Sequence, residues 1–321
     1  MVDWQFLALL AANGVLIGLM YALIALGFVL VYKATDAINF AQGELVMIAG
    51  FVVAVALAAR AVPALAIALG VVGMAGFGFA VERLVLRPMI GRPVVAMIMA
   101  TIGLAAVLRG AGPLLWGAET KALPLPVPDE PVALGPLLVP PVYLAGGAVS
   151  LLFLAAFGWF FLRSRPGIAM RAVADDQQVA MAMGIHVERY FALAWAMTGV
   201  VSALGGVLWG SLLGVDVHLA LVGLKVFPVV ILGGLDSIPG AVLGATVVTV
   251  LNLQVLKGLS LWLNELKNAG VTVLGFNLAH LPTQFEPAKY ERMIFGIILI
   301  LMMIFRPQGI LPARRRQREL G

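Results

Sequence analysis

Residues 163–189 read RSRPGIAMRAVADDQQVAMAMGIHVER and form the long polar stretch between two strongly apolar parts of the chain. Asp175 and Gln178 have the three-residue spacing of a capping box, in which two side chains satisfy the free amides of a helix start. Gly184 supplies a helix stop. The pattern predicts two short helices, about 167–174 and 176–183. They are too short and too polar to cross a membrane, so we expect them to lie along its surface.

The rest of the chain has the composition of a membrane protein. Of its 321 residues, 62% are hydrophobic and 12% are charged, and the mean hydropathy is +1.04. A soluble domain carries about 25% charged residues. Apolar runs recur with lengths near the roughly 20 residues that a helix needs to cross a bilayer core. The sequence therefore predicts an all-α, polytopic helical membrane protein, a single transmembrane domain over residues 1–321 with about eight or nine spans.

The sequence argues against several classes of function. It has no Cys, and its three His are scattered without a metal-binding or catalytic pattern, so we expect neither a metal site nor an enzyme. No GxxxxGK[ST] motif occurs, which places any ATP hydrolysis on another chain. No basic run is interleaved with aromatic residues, so a nucleic-acid partner is not expected.

The first apolar run, residues 4–32, lacks the basic leader and the cleavage site of a secretory signal and is expected to be retained as a span. Four small or polar residues lie near its middle: Asn13, Gly14, Gly18 and Tyr21. Such a stripe suits close helix packing or a face along a substrate pathway, and the sequence leaves both open. Gly206, Gly210, Gly240 and Gly244 are further candidates for helix packing.

The segment KATDAINFAQGE, residues 33–44, follows the first span. Asn39 and Gln42 again have capping-box spacing. Glu44 falls early in the next helix, where the helix dipole favours an acid, or it lines a translocation pathway, since acids within membranes are usually functional. Asn39, Gln42 and Thr101, the last of them inside a later span, are further pathway candidates. We expect no buried charge pair among these groups.

Two segments interrupt the pattern of simple spans. Residues 117–141 carry seven prolines and one Lys, which predicts an extended loop on the outer face of the membrane. Residues 223–256 are broken by GGLDSIPG, which predicts two short helices that form a broken or re-entrant pair. In this predicted arrangement of spans and loops, thirteen of the 21 Lys and Arg lie on the same side of the membrane as the C-terminus. That side is therefore predicted to be cytoplasmic.

Three separate parts of the chain resemble one family: INFAQGE at residues 38–44, the 163–189 segment, and RPQG at 306–309. They are similar to permease subunits of ABC importers, in particular the smaller permease subunit of high-affinity branched-chain amino-acid uptake systems. Asp236 departs from the family, which usually has a small residue there. In the family, the middle segment docks on a separate ATPase. The residues that carry over are Gly167, Arg171, Ala172, Asp175, Ala180, Gly184 and Ile185.

The resemblance implies a permease subunit of an ATP-driven importer for branched-chain amino acids, in a bacterial inner membrane. The implied partners are a second permease, two ATPase subunits that hold ATP and Mg, and a periplasmic substrate-binding protein. Permeases for urea or short amides are similar and remain alternatives. An ion-coupled secondary transporter is a further alternative, but it should bury ionisable groups at mid-membrane, whereas the acids here fall at span ends.

Overall fold

The computed structural model describes residues 4–128, 130–135 and 137–251, with short pieces between 264 and 311. Its helices in chain order are α1 (Trp4–Thr35), α2 (Gln42–Ala58), α3 (Pro63–Val81), α4 (Val94–Trp116), α5 (Pro141–Arg163), α6 (Arg165–Asp175), α7 (Gln177–Ala182), α8 (Val187–Leu213), α9 (Leu221–Gly233) and α10 (Ile238–Leu251). A π-helical turn, Glu82–Leu86, and two 3-10 turns, Arg87–Met89 and Val217–Ala220, extend this set. The all-α prediction is confirmed.

Five of these helices are long and apolar enough to cross a membrane: α1, α3, α4, α5 and α8, with α3 continuing through its π and 3-10 turns to Met89. The α9–α10 pair, bent by 116°, adds a sixth candidate span, and α2 is a shorter apolar helix. The chain is therefore a polytopic helical membrane protein, and the predicted break at GGLDSIPG is confirmed. Residues 293–305, an apolar run that the sequence also predicts to be a span, lie largely outside the described residues.

Helix α1 lies at the centre of the bundle and contacts α5, α8 and α10. Small residues allow these contacts to be close. A β-carbon on Gly14 would lie 3.0 Å from the Val250 side chain, and one on Gly18 would lie 2.8 Å from the Thr246 backbone, both on α10. Because lipid gives no hydrophobic drive for helix association, such close backbone approach is a main source of packing energy in membranes.

Glycines on α8 and α10 make similar contacts with other helices. Gly206 faces the carbonyl oxygen of Val46 on α2, at 2.6 Å from where its β-carbon would lie. Gly210 faces the Val215 side chain. Gly240 and Gly244 seat α10 against the end of α9, around Gly233.

The polar segment forms the two short helices α6 and α7. The predicted Asp175 cap is wrong: Asp175 is the last residue of α6, and Asp176 caps α7 by accepting bonds from the backbone N–H of Gln178 (2.9 Å) and Val179 (3.0 Å). Asp176 is the residue with extended backbone angles, so only its carboxylate can fold back onto the start of the helix.

The Pro-rich segment is not only extended loop. It contains a two-stranded antiparallel hairpin, β1 (Val132–Leu134) with β2 (Leu137–Val139). A separate bridge pairs Lys121 with Val215, so this segment is tied to the connection that follows α8. The prolines stop a helix but leave enough N–H groups between them for these short ladders.

Candidate functional site

The connection between α1 and α2, residues 36–41, is an unwound stretch whose polar groups are bonded within the protein. Asn39 donates to the Oε1 atom of Gln42 at 3.2 Å, and Gln42 donates to the Ser202 hydroxyl of α8 at 3.1 Å. The predicted capping box is therefore wrong: Ala41 is the N-cap of α2 and has no side-chain cap bond. The amide side chains bond to each other and to α8 instead, because both lie fully buried among helices.

Thr101 of α4 fixes the same stretch from the other side. Its hydroxyl accepts the backbone N–H of Phe40 at 3.2 Å and lies 3.3 Å from the carbonyl oxygen of Ile38. Thr101 is seven residues after the first residue of α4, so the unwound stretch lies about 10 Å along that helix from its end. Irregular backbone at such depth requires polar partners from protein, and Thr101 is one of them.

Glu44 lies in the first turn of α2 and forms an ion pair with Arg109 of α4. The Glu44 side chain is 4% exposed and that of Arg109 is 50% exposed. The sequence led us to expect no buried charge pair, whereas the structure pairs a buried acid with a half-exposed base. The acid was placed at a span end, but α2 starts inside the bundle, so that end is in the protein interior.

A cavity of about 340 Å³ lies beside this ion pair. Its walls come from α1, the start of α2, α4 and the region around α9. Glu44 and Arg109 are its charged lining residues, and Phe28, Phe40 and Phe227 form an aromatic wall, with ring centroids 5.6 Å apart for Phe40 and Phe227. A volume of this order fits a small molecule, and the lining combines an apolar surface with few polar groups.

The structure brings Asn39, Gln42, Glu44 and Thr101 together around the start of α2, whereas Asn13 and Tyr21 lie elsewhere on α1. Tyr21 packs on Trp209, with ring centroids 4.4 Å apart. Asn13 precedes the cavity residue Phe28 by fifteen positions, or about 22 Å of helix. Its Oδ1 atom has no hydrogen-bond partner among the described residues.

The α6–α7 pair, together with residues 183–186, forms a second candidate site, a surface for another protein. Gly184 has φ +82° and ends α7: its N–H bonds to Met181 and the N–H of Ile185 bonds back to Ala180, both at 3.0 Å. This is the Schellman pattern, which favours glycine because a β-carbon strains this backbone conformation.

Buried groups hold the pair against the bundle, while its outer surface carries exposed apolar side chains among polar ones. Ala180 is buried, and Gln177 donates to the carbonyl oxygen of Ala34 at the end of α1, at 3.2 Å. Ile168, Val179 and Met183 are exposed, Met183 by 78%.

The remaining residues carried over from the family lie in α6. Gly167 faces the carbonyl oxygen of Phe161 so closely that a side chain would clash, and its N–H bonds to the Ser164 hydroxyl at 3.0 Å. Arg171 donates to the carbonyl oxygen of Leu162 at 3.2 Å. Ala172 accepts the N–H of Asp176 at 3.1 Å.

Sequence reasoning missed several residues of the cavity site. The sequence alone predicts a span that starts at Val94 and closes at Leu108, just before Arg109, but α4 continues to Trp116. An Arg followed by seven more residues of an apolar helix was the signal that could have found it. Ser202, Gly43 and Phe227 gave no such signal, because a Ser, a Gly or a Phe in an apolar helix is ordinary.

These features are those of a membrane permease with a mostly apolar cavity that carries one charge pair, and with a surface helix pair. The chain belongs to the family of branched-chain amino acid transport system permease components, whose model matches residues 10–303. No solved structure matches it.

Among its relatives, the high-affinity branched-chain amino acid transport system permease protein BraD of Pseudomonas aeruginosa is 30% identical over 93% of this chain and 94% of its own length. The corresponding LivH protein of Escherichia coli K12 is 30% identical over 93% of both chains. The autoinducer 2 import system permease protein LsrC of an Enterobacter species is 33% identical, over 61% of this chain and 60% of its own length.

Proposed function

We propose that this chain is one of two permease subunits in an ATP-driven importer for branched-chain, aliphatic amino acids. The match along 93% of the chain to two permeases of that transport class supports the proposal most strongly. The match to an autoinducer 2 permease covers 61% of the chain. Urea or short amides are the alternative class of substrate.

The α6–α7 pair is the proposed contact with an ATPase subunit. Exposed apolar side chains at Val179, Met181 and Met183 suit a groove on a soluble partner better than water. The bond from Gln177 to Ala34 joins the pair to the end of α1, and α1 leads to the cavity. A displacement of the pair would therefore reach the cavity through a rigid helix, as hinge and shear transitions do.

The same end of the bundle is the proposed cytoplasmic side. Arg87, just before α4, pairs with Glu188 at the start of α8 at 3.3 Å, so both helix starts share the side of α6 and α7. Lys33, Arg83 and Arg163 belong to the same side by their positions at helix ends. A cluster of basic residues beside spans favours the cytoplasm. The same side is proposed for the C-terminus, because Ile310, which directly follows RPQG, donates its N–H to Leu232 near the end of α9 at 2.8 Å.

The proposed contact with the second permease is the face of α4 that carries Arg109. Only 11% of an 18-residue apolar stretch of α4 is buried within this chain. A half-exposed guanidinium at this depth is costly against lipid and is usually turned to protein or a water-filled cavity. A second subunit on this face would enclose the cavity between the two permeases.

Reconstitution in liposomes tests the function. We expect no leucine or valine uptake by this chain alone, with or without an ion gradient. Uptake should require a second permease, the ATPase subunits, ATP and a substrate-binding protein. Uptake by the purified chain on an ion gradient would contradict the proposal and favour a secondary transporter. Uptake of urea but not leucine by the full assembly would support the ATP-driven importer but contradict the proposed substrate.

A further inference from the structure

We infer that the cavity beside α2 recognises a zwitterionic amino acid, with Glu44 taking the ammonium group, Arg109 taking the carboxylate, and the Phe28, Phe40 and Phe227 wall taking the aliphatic side chain. This inference rests on the proposed import function and adds the residues and the ligand chemistry. It is carried by the juxtaposition of one acid, one base and an aromatic wall around a single cavity of about 340 Å³.

The charges are suited to exchange rather than to a permanent structural bond. Glu44 and Arg109 pair with each other in this structure. A zwitterion inserted between them would give each group a new partner of opposite charge, so every charge stays paired and the net charge of the site stays zero. A buried carboxylate without a partner is strongly unfavourable, so this exchange avoids the main cost of moving charges through an apolar region. Arg can bind the substrate carboxylate with two parallel N–H bonds.

The start of α2 is a second feature that favours binding of the substrate carboxylate. Gly43 and Glu44 line the cavity within the first turn of this 17-residue helix, where backbone N–H groups and the helix dipole favour negative charge. Glu44 is itself an acid held in this first turn.

The site is rigid because the backbones around it are in direct contact. Gly43 and Gly223 face each other without room for a β-carbon on either, which fixes α9 and its Phe227 relative to Glu44. The N–H of Phe40 donates to the Thr101 hydroxyl at 3.2 Å, which fixes the backbone that carries the Phe40 ring. An apolar side chain packed against the wall of Phe28, Phe40 and Phe227 would replace water there, whereas urea or a short amide has no aliphatic group to bury.

The lining also indicates how the ligand enters. Ile102 and Leu224 line the cavity and are 42% and 57% exposed, so the cavity opens on the α4 face. This is the face proposed above for the second permease. The ligand would therefore be bound between two subunits rather than deep within one.

Paired neutral variants test the inference in the full reconstituted assembly. A purely structural ion pair would be replaced by neutral residues at little cost when both partners change together, because no charge is left unpaired. We expect the Glu44→Gln, Arg109→Gln double variant to insert and keep ATPase stimulation by the loaded binding protein. Its leucine uptake should fall by about tenfold or more, which corresponds to about 1.4 kcal/mol or more. Glu119→Gln, an exposed acid of the Pro-rich segment, is the control and should transport normally.

Leucine uptake within about twofold of the unmodified assembly would overturn the inference, since twofold is well below one tenfold step in affinity. If the unmodified assembly carries another cargo, the proposed function fails before the variants are compared.

A cysteine variant provides a second test of the cavity as the binding site, which applies even if the double variant does not fold. The chain has no native Cys, so Leu224→Cys can be modified alone by a small thiol reagent. Modification should block leucine uptake by filling the cavity mouth. Leu114→Cys is the control, because Leu114 is 85% exposed on α4 and does not line the cavity. Complete modification of Leu224→Cys with unchanged uptake would overturn the inference.

Discussion

Two glycines two residues apart on α3 should respond in opposite directions to the same substitution. Gly78 lies directly against the backbone of Trp195 on α8, and an added β-carbon would overlap the Trp195 carbonyl oxygen and lie 2.9 Å from its carbonyl carbon. Ordinary contact begins at 3.4 Å, so the helices must separate by about half an ångström or more. Gly76 has no heavy atom within 4 Å of an added β-carbon.

The obstructing atoms at Gly78 belong to backbone, so no side chain can rotate away. We expect Gly78→Ala to cost about 1–3 kcal/mol, in the range of overpacked cores. Gly76→Ala should be neutral or stabilising by less than about 1 kcal/mol, since Ala is the better helix residue. Thermal unfolding of the purified protein in detergent measures both, and the midpoint moves by about 2–4 °C per kcal/mol for domains of 150–250 residues. Equal midpoints for the two variants would refute the close α3–α8 contact.

Three further predictions concern the α6–α7 pair and the orientation of the chain. Asp176→Ala removes the cap of α7 and should destabilise that helix by about 0.5–2 kcal/mol. We expect weaker ATPase stimulation from Asp176→Ala and normal stimulation from Asp176→Asn, so equal stimulation by the two variants would contradict the role of the cap. Gly184→Glu places a β-carbon at φ +82° and a charge on the proposed ATPase contact, so transport should fall while the protein still inserts; normal transport with unchanged ATPase stimulation would show the docking assignment to be wrong. In intact cells, an impermeant thiol reagent should label Pro128→Cys but not Met183→Cys, both of which are exposed in this chain, and labelling of Met183→Cys would reverse the orientation.

The sequence was most informative where one residue type has one local consequence. Gly184 predicted a helix end, and the structure shows the positive φ that such an end requires. The GGLDSIPG break predicted two short helices, and α9 and α10 meet there at 116°. Long apolar runs predicted helices, because in lipid the backbone must satisfy its own hydrogen bonds.

Prediction failed where the partner of a residue is distant in the chain. Asn39 and Gln42 have the spacing of a cap, but Ser202, 160 positions after Gln42, provides the bond that decides their orientation. Glu44 looked like a residue at a span end, and Arg109 looked like the end of another span. Only the packing of α2 against α4 places them together, and local spacing carries no information on that packing.

The distant partners of α2 have a consequence for how the protein is made. The polar side chain of Gln42 bonds to Ser202, which is synthesised 160 residues later. Arg109, the partner of Glu44, is synthesised 65 residues after it. At about 5–20 residues per second, the first delay is on the order of 8–32 s. During that interval the start of α2 has unmatched polar groups, and its 17 residues are short for a span. The start of α2 can therefore reach its final packing only after α8 emerges, so folding of this bundle is tied to the order of its synthesis.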